Sequence, residues 1–211
     1  MTTLTSAQDA FMHAIHERYA VKSFDPTQKI DSDTLTKILE VGQYSPTSFG
    51  LEFTRFIVIR DQAVKDALKP HCGNQPQIDT CSDLVIFVSR TDVEPESEYV
   101  HQQFGRWGLD ETSFAGLMDF YSFYMSQFNE QTAPYWAGKQ AYIALGNMMT
   151  AAQMLGVGSC PIEGFMKSEV MEVLDLNPQE YNLHVIMALG TPNDTKRPKY
   201  RLPLEELVSY R

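Results

Sequence analysis

The most apolar stretch of the chain lies at positions 135–165. Between positions 136 and 155 polar side chains are few, which predicts a helix that is apolar on nearly every side and buried on most of them. Small residues such as Ala137, Ala141 and Ala144 suit close packing between helices better than contact with lipid. We therefore expect a helix in the protein core and not a membrane span.

A loop follows this helix and a short β-like run, and it reads Pro161, Ile162, Glu163, Gly164, Phe165. Proline has no backbone donor, and glycine lets another group approach the backbone closely. We therefore expect the backbone amides of residues 162–165 to remain available to a ligand. A row of free amides beside a core helix indicates a candidate cofactor site.

Apolar periodicity predicts the other elements. Helices are expected at positions 6–16, 33–43, 62–68 and 168–174, and strands at 55–59, 84–88 and 183–189. The run at 84–88 is apolar at every position, which is typical of a strand covered on both faces. Between 91 and 134 we expect an irregular segment and then an aromatic-rich helical one. These elements include too few strands for a barrel and favour an α+β or α/β sandwich around a small sheet.

Composition limits the binding partners and the cellular compartment that we expect for this protein. The chain has 211 residues and a formal net charge of −10, which argues against a nucleic-acid or anionic-membrane partner because both attract basic surfaces. No linker divides it, so we expect one domain over residues 1–211. Cys72, Cys81 and Cys160 form no closely spaced ligand set and fit a reducing compartment. Residues 1–5 do not begin a signal peptide, so we expect a cytoplasmic protein.

The common side-chain chemistries find little support in the sequence. His13, His16 and Glu17 share a helical neighbourhood but lack a fourth metal ligand. Ser48 lacks the glycine-flanked turn of a hydrolase nucleophile, and Cys160 has no identifiable histidine partner. Neither a phosphate-loop lysine pattern nor a dinucleotide glycine fingerprint follows a strand. We therefore assign no metal site and no catalytic side chain.

Two pairs of cations stand out in this acidic chain. Arg18 and Lys22 are four residues apart and share a face, and Lys199 and Arg201 lie on the same side of an extended segment. One interpretation pairs these cations with surface acids such as Glu17. The other places both pairs on one phosphorylated cofactor, because guanidinium groups bind phosphate well.

Five pieces of the sequence, taken in order, resemble the FMN-dependent nitroreductase family, the oxygen-insensitive NAD(P)H nitroreductases. The pieces are Arg18 to Phe24, Tyr44 to Leu51, Lys139 with Gln140, Pro161 to Phe165, and Lys199 to Pro203. The resemblance implies a three-layer α+β sandwich with a small mixed sheet. It also implies an intertwined homodimer around the long central helix, with two FMN sites at the interface built from both chains.

The resemblance also implies how the matched residues would bind FMN. Arg18, Lys199 and Arg201 would hold its phosphate and ribityl chain, and Lys22 would lie near the N1/O2 edge of its ring. The segment 46–48 would reach the ring from the partner subunit.

Other matched residues would lie at the flavin ring itself. Asn74 would contact the ring edge, and the backbone of Ile162, Glu163 and Gly164 would cover the ring face and reach N5. The complete cofactor-binding set implied by the resemblance is Arg18, Tyr19, Ala20, Lys22, Pro46, Thr47, Ser48, Gly50, Asn74, Pro161, Ile162, Glu163, Gly164, Lys199 and Arg201.

An aromatic run lies between positions 114 and 128. One interpretation of the run is packing in the core or in a dimer. The resemblance implies instead that Phe120, Phe123 and Tyr124 lie over the flavin and bind substrate, by stacking on flat electron-poor rings such as nitroarenes and quinones.

The chain departs from the family pattern at a few positions. Ala20 replaces a frequent serine, which removes a hydroxyl contact to the cofactor. The segment that begins with Glu52 replaces the usual Gln-Pro and aromatic residue, and a carboxylate that faced the reduced flavin would disfavour it by charge repulsion. Gln77 stands where some members have lysine. These departures bear on the range of substrates.

The resemblance predicts an FMN enzyme that takes hydride from NAD(P)H and delivers two electrons to a nitro compound, quinone or activated alkene by a ping-pong mechanism. It would act as a homodimer on a small-molecule acceptor, without a nucleic-acid or membrane partner. A narrower reductase of the same fold, of the enone, pteridine or reductive dehalogenase type, is the first alternative. A flavin-binding sensor or storage protein without turnover is the second.

Overall fold

The structure is a computed structural model that describes residues 6–211. The segment 1–5, on which the expectation about a signal peptide rests, lies outside the described residues. The helices are α1 (Ser6–Glu17), α2 (Ser32–Gln43), α3 (Gln62–Leu68), α4 (Pro76–Thr80), α5 (Glu98–Gly105), α6 (Glu111–Met125), α7 (Ala133–Met154), α8 (Lys167–Val173) and α9 (Leu204–Leu207). The strands are β1 (Thr54–Ile59), β2 (Asp83–Arg90), β3 (Gly158–Ile162) and β4 (Tyr181–Gly190).

The predicted elements are confirmed, with ends that differ by at most three residues. Asp31 caps the first turn of helix α2, because its carboxylate accepts a hydrogen bond from the Thr34 amide at 2.9 Å. The short run before the loop at 161–165 proves to be a full strand, β3, which is the fourth member of the sheet.

The strands form one sheet in the order β1-β2-β4-β3, and every pair of neighbours is antiparallel. The expectation of a mixed sheet is therefore wrong for these strands. Parallel pairing within residues 6–211 is limited to an isolated bridge between Ala20 and Ser159 at the β3 edge. This bridge places the cation-bearing segment after α1 directly beside β3.

Helices cover both faces of the sheet, which confirms the three-layer α+β sandwich. Successive side chains of a strand point to opposite faces. Leu84, Ile86 and Val88 of β2 pack with α3, α4 and α8, whereas Val85 and Phe87 pack with α2 and α7. The apolar run at 84–88 is thus buried on both sides, as predicted.

Helix α7 has 22 residues and packs on the sheet through small side chains. Gly138 of α7 permits this close packing, because a Cβ atom there would lie 2.6 Å from His184 of β4. Gly42 of α2 permits a similar approach to α7, because its Cβ atom would lie 2.6 Å from Met148. The opposite side of α7 is open, and Tyr142 and Ile143 are both 42% exposed. The prediction that the helix is buried on most sides is nevertheless confirmed, since ten of its 22 residues are buried and the exposed ones lie along this one side. Within residues 6–211 we find no helix with the length and apolar character that crossing a bilayer demands.

Candidate functional site

A cleft of about 420 Å³ lies between the segment that follows α1 and the segment that follows β4. Five cations line this cleft, which we call the cationic cleft: Arg18, Lys22, Arg197, Lys199 and Arg201. The family resemblance had placed all of them except Arg197 in one site, and the structure brings those four together. Tyr19, Ala20 and Pro161 of the predicted set line the same cleft.

Lys199 ties the two segments of the cleft together. Its ammonium donates hydrogen bonds to the carbonyls of Ile15 and His16, at 2.8 Å and 2.6 Å, at the C-terminal end of α1. A cation is favoured there because the last carbonyls of a helix carry partial negative charge. Burial, and then the charges of Arg18 and Arg201, lower the pKa of Lys199. Like charges are therefore crowded at this point, which suits an anionic ligand.

The alternative in which surface acids neutralise the cations is not supported by the contacts. Glu17 forms its ion pair with Lys196 at 2.5 Å. Among residues 6–211, the ion pairs of the structure involve none of the five cleft cations. Asp25, another acid close to Lys22 in the sequence, accepts hydrogen bonds from Thr27 and Gln28 at 2.9 Å and 2.8 Å. The charge of the cleft remains available to a ligand.

The loop at 161–165 offers two free amides and not four. The Phe165 amide donates to the Glu163 carbonyl at 2.9 Å, and Ile162 belongs to the β3 ladder. The prediction is therefore wrong for these two residues, because local turn formation and strand pairing use them. The amides of Glu163 and Gly164 donate to no acceptor in the described part of the chain. We call these two residues the amide ledge.

Side chains from two other elements hold the amide ledge in place. Gln75 donates from its side-chain amide to the Gly164 carbonyl at 3.0 Å and to the Cys72 carbonyl at 2.9 Å. Tyr142 of α7 donates from its hydroxyl to the Glu163 carboxylate. Burial, and then this carboxylate, raise the pKa of Tyr142 to about 12, so the phenol stays protonated near neutral pH. The amide ledge is therefore held by two side chains, those of Gln75 and Tyr142.

Asn74 and Gln77 lie next to this support. Asn74 is exposed and has a left-handed backbone with φ 53°, which brings the following residue, Gln75, to the ledge. Gln77 is buried and donates to the Gln75 side chain at 2.8 Å. Sequence reasoning missed Gln75 and Tyr142, because the contacts of both depend on a loop far away along the chain.

The segment 46–50 does not join the cationic cleft. The Ser48 amide donates to the Gln140 side chain of α7 at 2.9 Å, and the Asn147 side chain donates to the Ser45 hydroxyl at 2.9 Å. These contacts fix the segment against α7, away from the residues that line the cleft. Pro46, Thr47, Ser48 and Gly50 therefore form a second group in the single chain.

An aromatic group belongs to this second region. Phe49 packs against Phe120 and Tyr124 of α6, with ring centroids 5.8 Å and 5.1 Å apart. Phe120 and Phe123 are 58% and 70% exposed, so they project into solvent. Tyr124 is half-buried and also packs on Trp136, which is core packing as in the alternative interpretation. We call Phe120, Phe123 and the segment 46–50 the aromatic surface.

Glu52 lies beside the aromatic surface and is paired. Its carboxylate contacts the Arg106 guanidinium at 3.0 Å and 3.4 Å. This contact raises the pKa of Arg106. The negative charge that distinguishes this chain is therefore matched by a cation within the same protein.

No group of three or more histidine, cysteine or acidic side chains within residues 6–211 is arranged to hold a metal ion. Cys72, Cys81 and Cys160 are buried and free of disulfides. Burial raises the pKa of Cys72 to about 11 and also raises the pKa of Cys160. Neither thiol has the character of a nucleophile.

The chain is similar to known proteins in both sequence and fold. The sequence model of the Nitroreductase family matches residues 15–191 of this chain. A protein of Staphylococcus haemolyticus that is named as an NAD(P)H nitroreductase is 37% identical over 217 residues, which cover 98% of this chain and 100% of that protein.

Solved structures with similar folds have lower sequence identity. One from Staphylococcus epidermidis, named as an NAD(P)H:FMN oxidoreductase, has a TM-score of 0.84 at 22% identity and covers 100% of both chains. A nitroreductase from Exiguobacterium sibiricum in complex with FMN has a TM-score of 0.81 at 19% identity, covering 100% of this chain and 99% of that one. At these identities the structures show the fold.

Proposed function

Because the chain belongs to the nitroreductase family, we propose that it is an FMN enzyme that uses NAD(P)H to reduce small electron acceptors. The observation that carries the proposal is the cationic cleft beside the amide ledge. Pro161 lines the cleft and the ledge follows it two residues later, so a phosphate site and a site for a polar ring adjoin.

The chemistry of the donor set fits FMN. Arg18, Lys199 and Arg201 offer charge-assisted hydrogen bonds to a phosphate. The amides of Glu163 and Gly164 offer donors to ring atoms, and Gly164 leaves the approach open because it has no side chain. The phosphate and the ring of the cofactor thus each have matching donors in this chain.

When bound, FMN would supply the redox chemistry, which is the transfer of hydride from NAD(P)H and of two electrons to an acceptor. The protein residues bind and orient. Lys22 would place an ammonium near the ring, where it would favour negative charge. Its Nζ lies 3.5 Å from the sulfur of the buried Cys160. The amide ledge presents its donors without rearrangement because Gln75 and Tyr142 already hold it.

The active unit in this proposal is a homodimer. The cationic cleft and the aromatic surface lie on different parts of one chain, and exposed apolar residues of α7 such as Ile143 lie on its uncovered side. Burial of such a face against a second copy is favourable. In that dimer the segment 46–50, Phe120 and Phe123 of one chain would complete the cleft of the partner.

We infer that the acceptor is a nitroaromatic, a quinone or an activated alkene, reduced by a ping-pong mechanism. The exposed rings of Phe120 and Phe123 suit flat acceptors of this kind. We place the single domain in the cytoplasm, which agrees with three buried thiols outside any disulfide.

The test begins with the purified protein and its visible flavin spectrum. We expect a yellow dimer whose FMN absorbance is bleached anaerobically by NADH or NADPH and restored by a quinone or a nitroarene. A flavin that stays oxidised under an excess of both nucleotides would instead favour a sensor or storage protein. A colourless monomer that does not take up added FMN would refute the proposal.

A further inference from the structure

The two segments of the cationic cleft come from opposite ends of the chain. The second segment, residues 191–201, contains no helix and no strand beyond one isolated bridge. The hydrogen bonds of a helix or a strand therefore do not fix the positions of its cations. Contacts with the first segment must hold them, and two of these are backbone hydrogen bonds: Asp25 to Thr191 and Asn193 to Ser23, both at 2.9 Å.

Asp194 continues this attachment with its side chain. One carboxylate oxygen accepts a hydrogen bond from the Tyr19 hydroxyl at 3.0 Å, and the other accepts one from the Lys22 amide at 2.8 Å. The Tyr19 contact joins residues 175 positions apart. Burial, and then Asp194, raise the pKa of Tyr19 to about 12, so the phenol remains a donor near neutral pH.

A carboxylate is unexpected in a cleft that binds phosphate. Asp194 lines the cleft together with its five cations. On charge alone it weakens the attraction of the cleft for an anion. Both of its oxygens are engaged by the first segment, and this indicates that its contribution is geometric.

We propose that Asp194 is a positioning residue that aligns the two cation-bearing segments of the cleft for the phosphate of FMN. The proposal rests on the proposed function and deepens it. Without Asp194, the segment that carries Arg197, Lys199 and Arg201 loses its side-chain attachment to Tyr19 and Lys22. The cations then keep their charge but fewer contacts fix their spacing, and preorganised donors bind more tightly than mobile ones.

Two charge-matched variants separate geometry from charge. Asp194→Asn and Glu17→Gln each remove one negative charge from the contact between the same two segments. Glu17 pairs with Lys196, which does not line the cleft, so its loss leaves the Asp194 contacts intact. The measurement is the dissociation constant of FMN and of riboflavin, which lacks the phosphate, for each apoprotein.

We expect Asp194→Asn to raise the dissociation constant of FMN about tenfold, as for the loss of one charge-assisted hydrogen bond, although the cleft becomes more positive. The affinity for riboflavin should change much less. Glu17→Gln should leave FMN affinity unchanged or slightly higher. Asp194→Ser, which retains one acceptor oxygen, serves as a second variant if the asparagine variant is unstable, and the same loss confined to FMN is expected.

Two outcomes would overturn the proposal. In one, Asp194→Asn binds FMN as tightly as the wild type or more tightly, which would make Asp194 a simple counter-charge. In the other, FMN and riboflavin lose affinity in parallel while the melting temperature falls, which would make its role purely structural. Failure of the wild type to bind FMN is a separate result and refutes the proposed function.

Discussion

The cationic cleft and the aromatic surface differ in how the chain builds them. The cleft joins segments from both ends of the sequence, and hydrogen bonds such as those of Lys199 and Asp194 hold it. The aromatic surface comes from one helix and one nearby loop, and ring packing on Phe49 holds it. One region suits a phosphate and the other a flat apolar molecule. Within residues 6–211, the lining of the cationic cleft includes no residue of the aromatic surface. Each region is therefore half of a site in the dimer that we propose.

The largest expected effect tests the cleft. Lys199→Ala combined with Arg201→Ala should raise the dissociation constant of FMN about a hundredfold or more, because each phosphate contact contributes roughly 1.5–3 kcal/mol. Equilibrium dialysis or fluorescence titration measures it. Lys196→Ala is the matched control, since this lysine belongs to the same segment but pairs with Glu17 outside the cleft. Unchanged retention of flavin in the double variant would remove Lys199 and Arg201 from the site.

The next effect tests the aromatic surface. Phe120→Ala combined with Phe123→Ala should raise the KM for a nitroarene or quinone about tenfold, because stacking contributes roughly 0.5–1.5 kcal/mol per pair. The affinity for FMN should stay near that of the wild type. Phe120→Leu combined with Phe123→Leu is the control that keeps apolar area and removes the ring faces. If the leucine variant retains the wild-type KM, apolar burial and not stacking binds the acceptor.

A smaller effect concerns Lys22, the cleft residue assigned to the flavin ring. Lys22→Met keeps the apolar stem and removes the charge, so the bound flavin should lose a partner that favours its reduced form. We expect its midpoint potential to fall by about 30 mV, the equivalent of roughly 1.4 kcal/mol for a two-electron couple. A redox titration with reference dyes measures the shift. Lys29→Met, which removes a charge outside the cleft lining, should leave the potential in place, and equal shifts in both variants would contradict the assignment.

The smallest expected loss of activity is that of a mixed dimer. This dimer tests most directly whether the cationic cleft of one chain works with the aromatic surface of its partner. One chain carries Lys199→Ala with Arg201→Ala, and the other carries Phe120→Ala with Phe123→Ala. If a site combines the cleft of one chain with the aromatic surface of its partner, one of the two sites has all of its residues intact. The mixed dimer should then show about half of the wild-type activity, a twofold loss, and both variant homodimers should show far less.

One result of that experiment would contradict a site shared between two chains. Sites built within single chains would leave every site of the mixed dimer damaged, and its activity would equal the average of the two homodimers. The dimer needs two different affinity tags on co-expressed chains, so that homodimers are removed before the assay.

The sequence determined the local features of this protein. Periodicity predicted the helices and strands, because each side of an element must face either the core or water. The continuous apolar run at 84–88 predicted a strand buried on both faces, and β2 is such a strand. The sequence left two interpretations open for Arg18, Lys22, Lys199 and Arg201, pairing with surface acids or binding of a common anion. The family resemblance implied a common site, and the four residues line one cleft.

Only the tertiary structure decided which groups those local features leave free. The Phe165 amide is used by its own turn, whereas the ledge amides remain open between Gln75 and Tyr142. The role of Asp194 likewise depends on Tyr19, 175 positions away. Such contacts arise from the packing of the whole chain, and a local sequence pattern carries no information about which distant donor a given acceptor will meet.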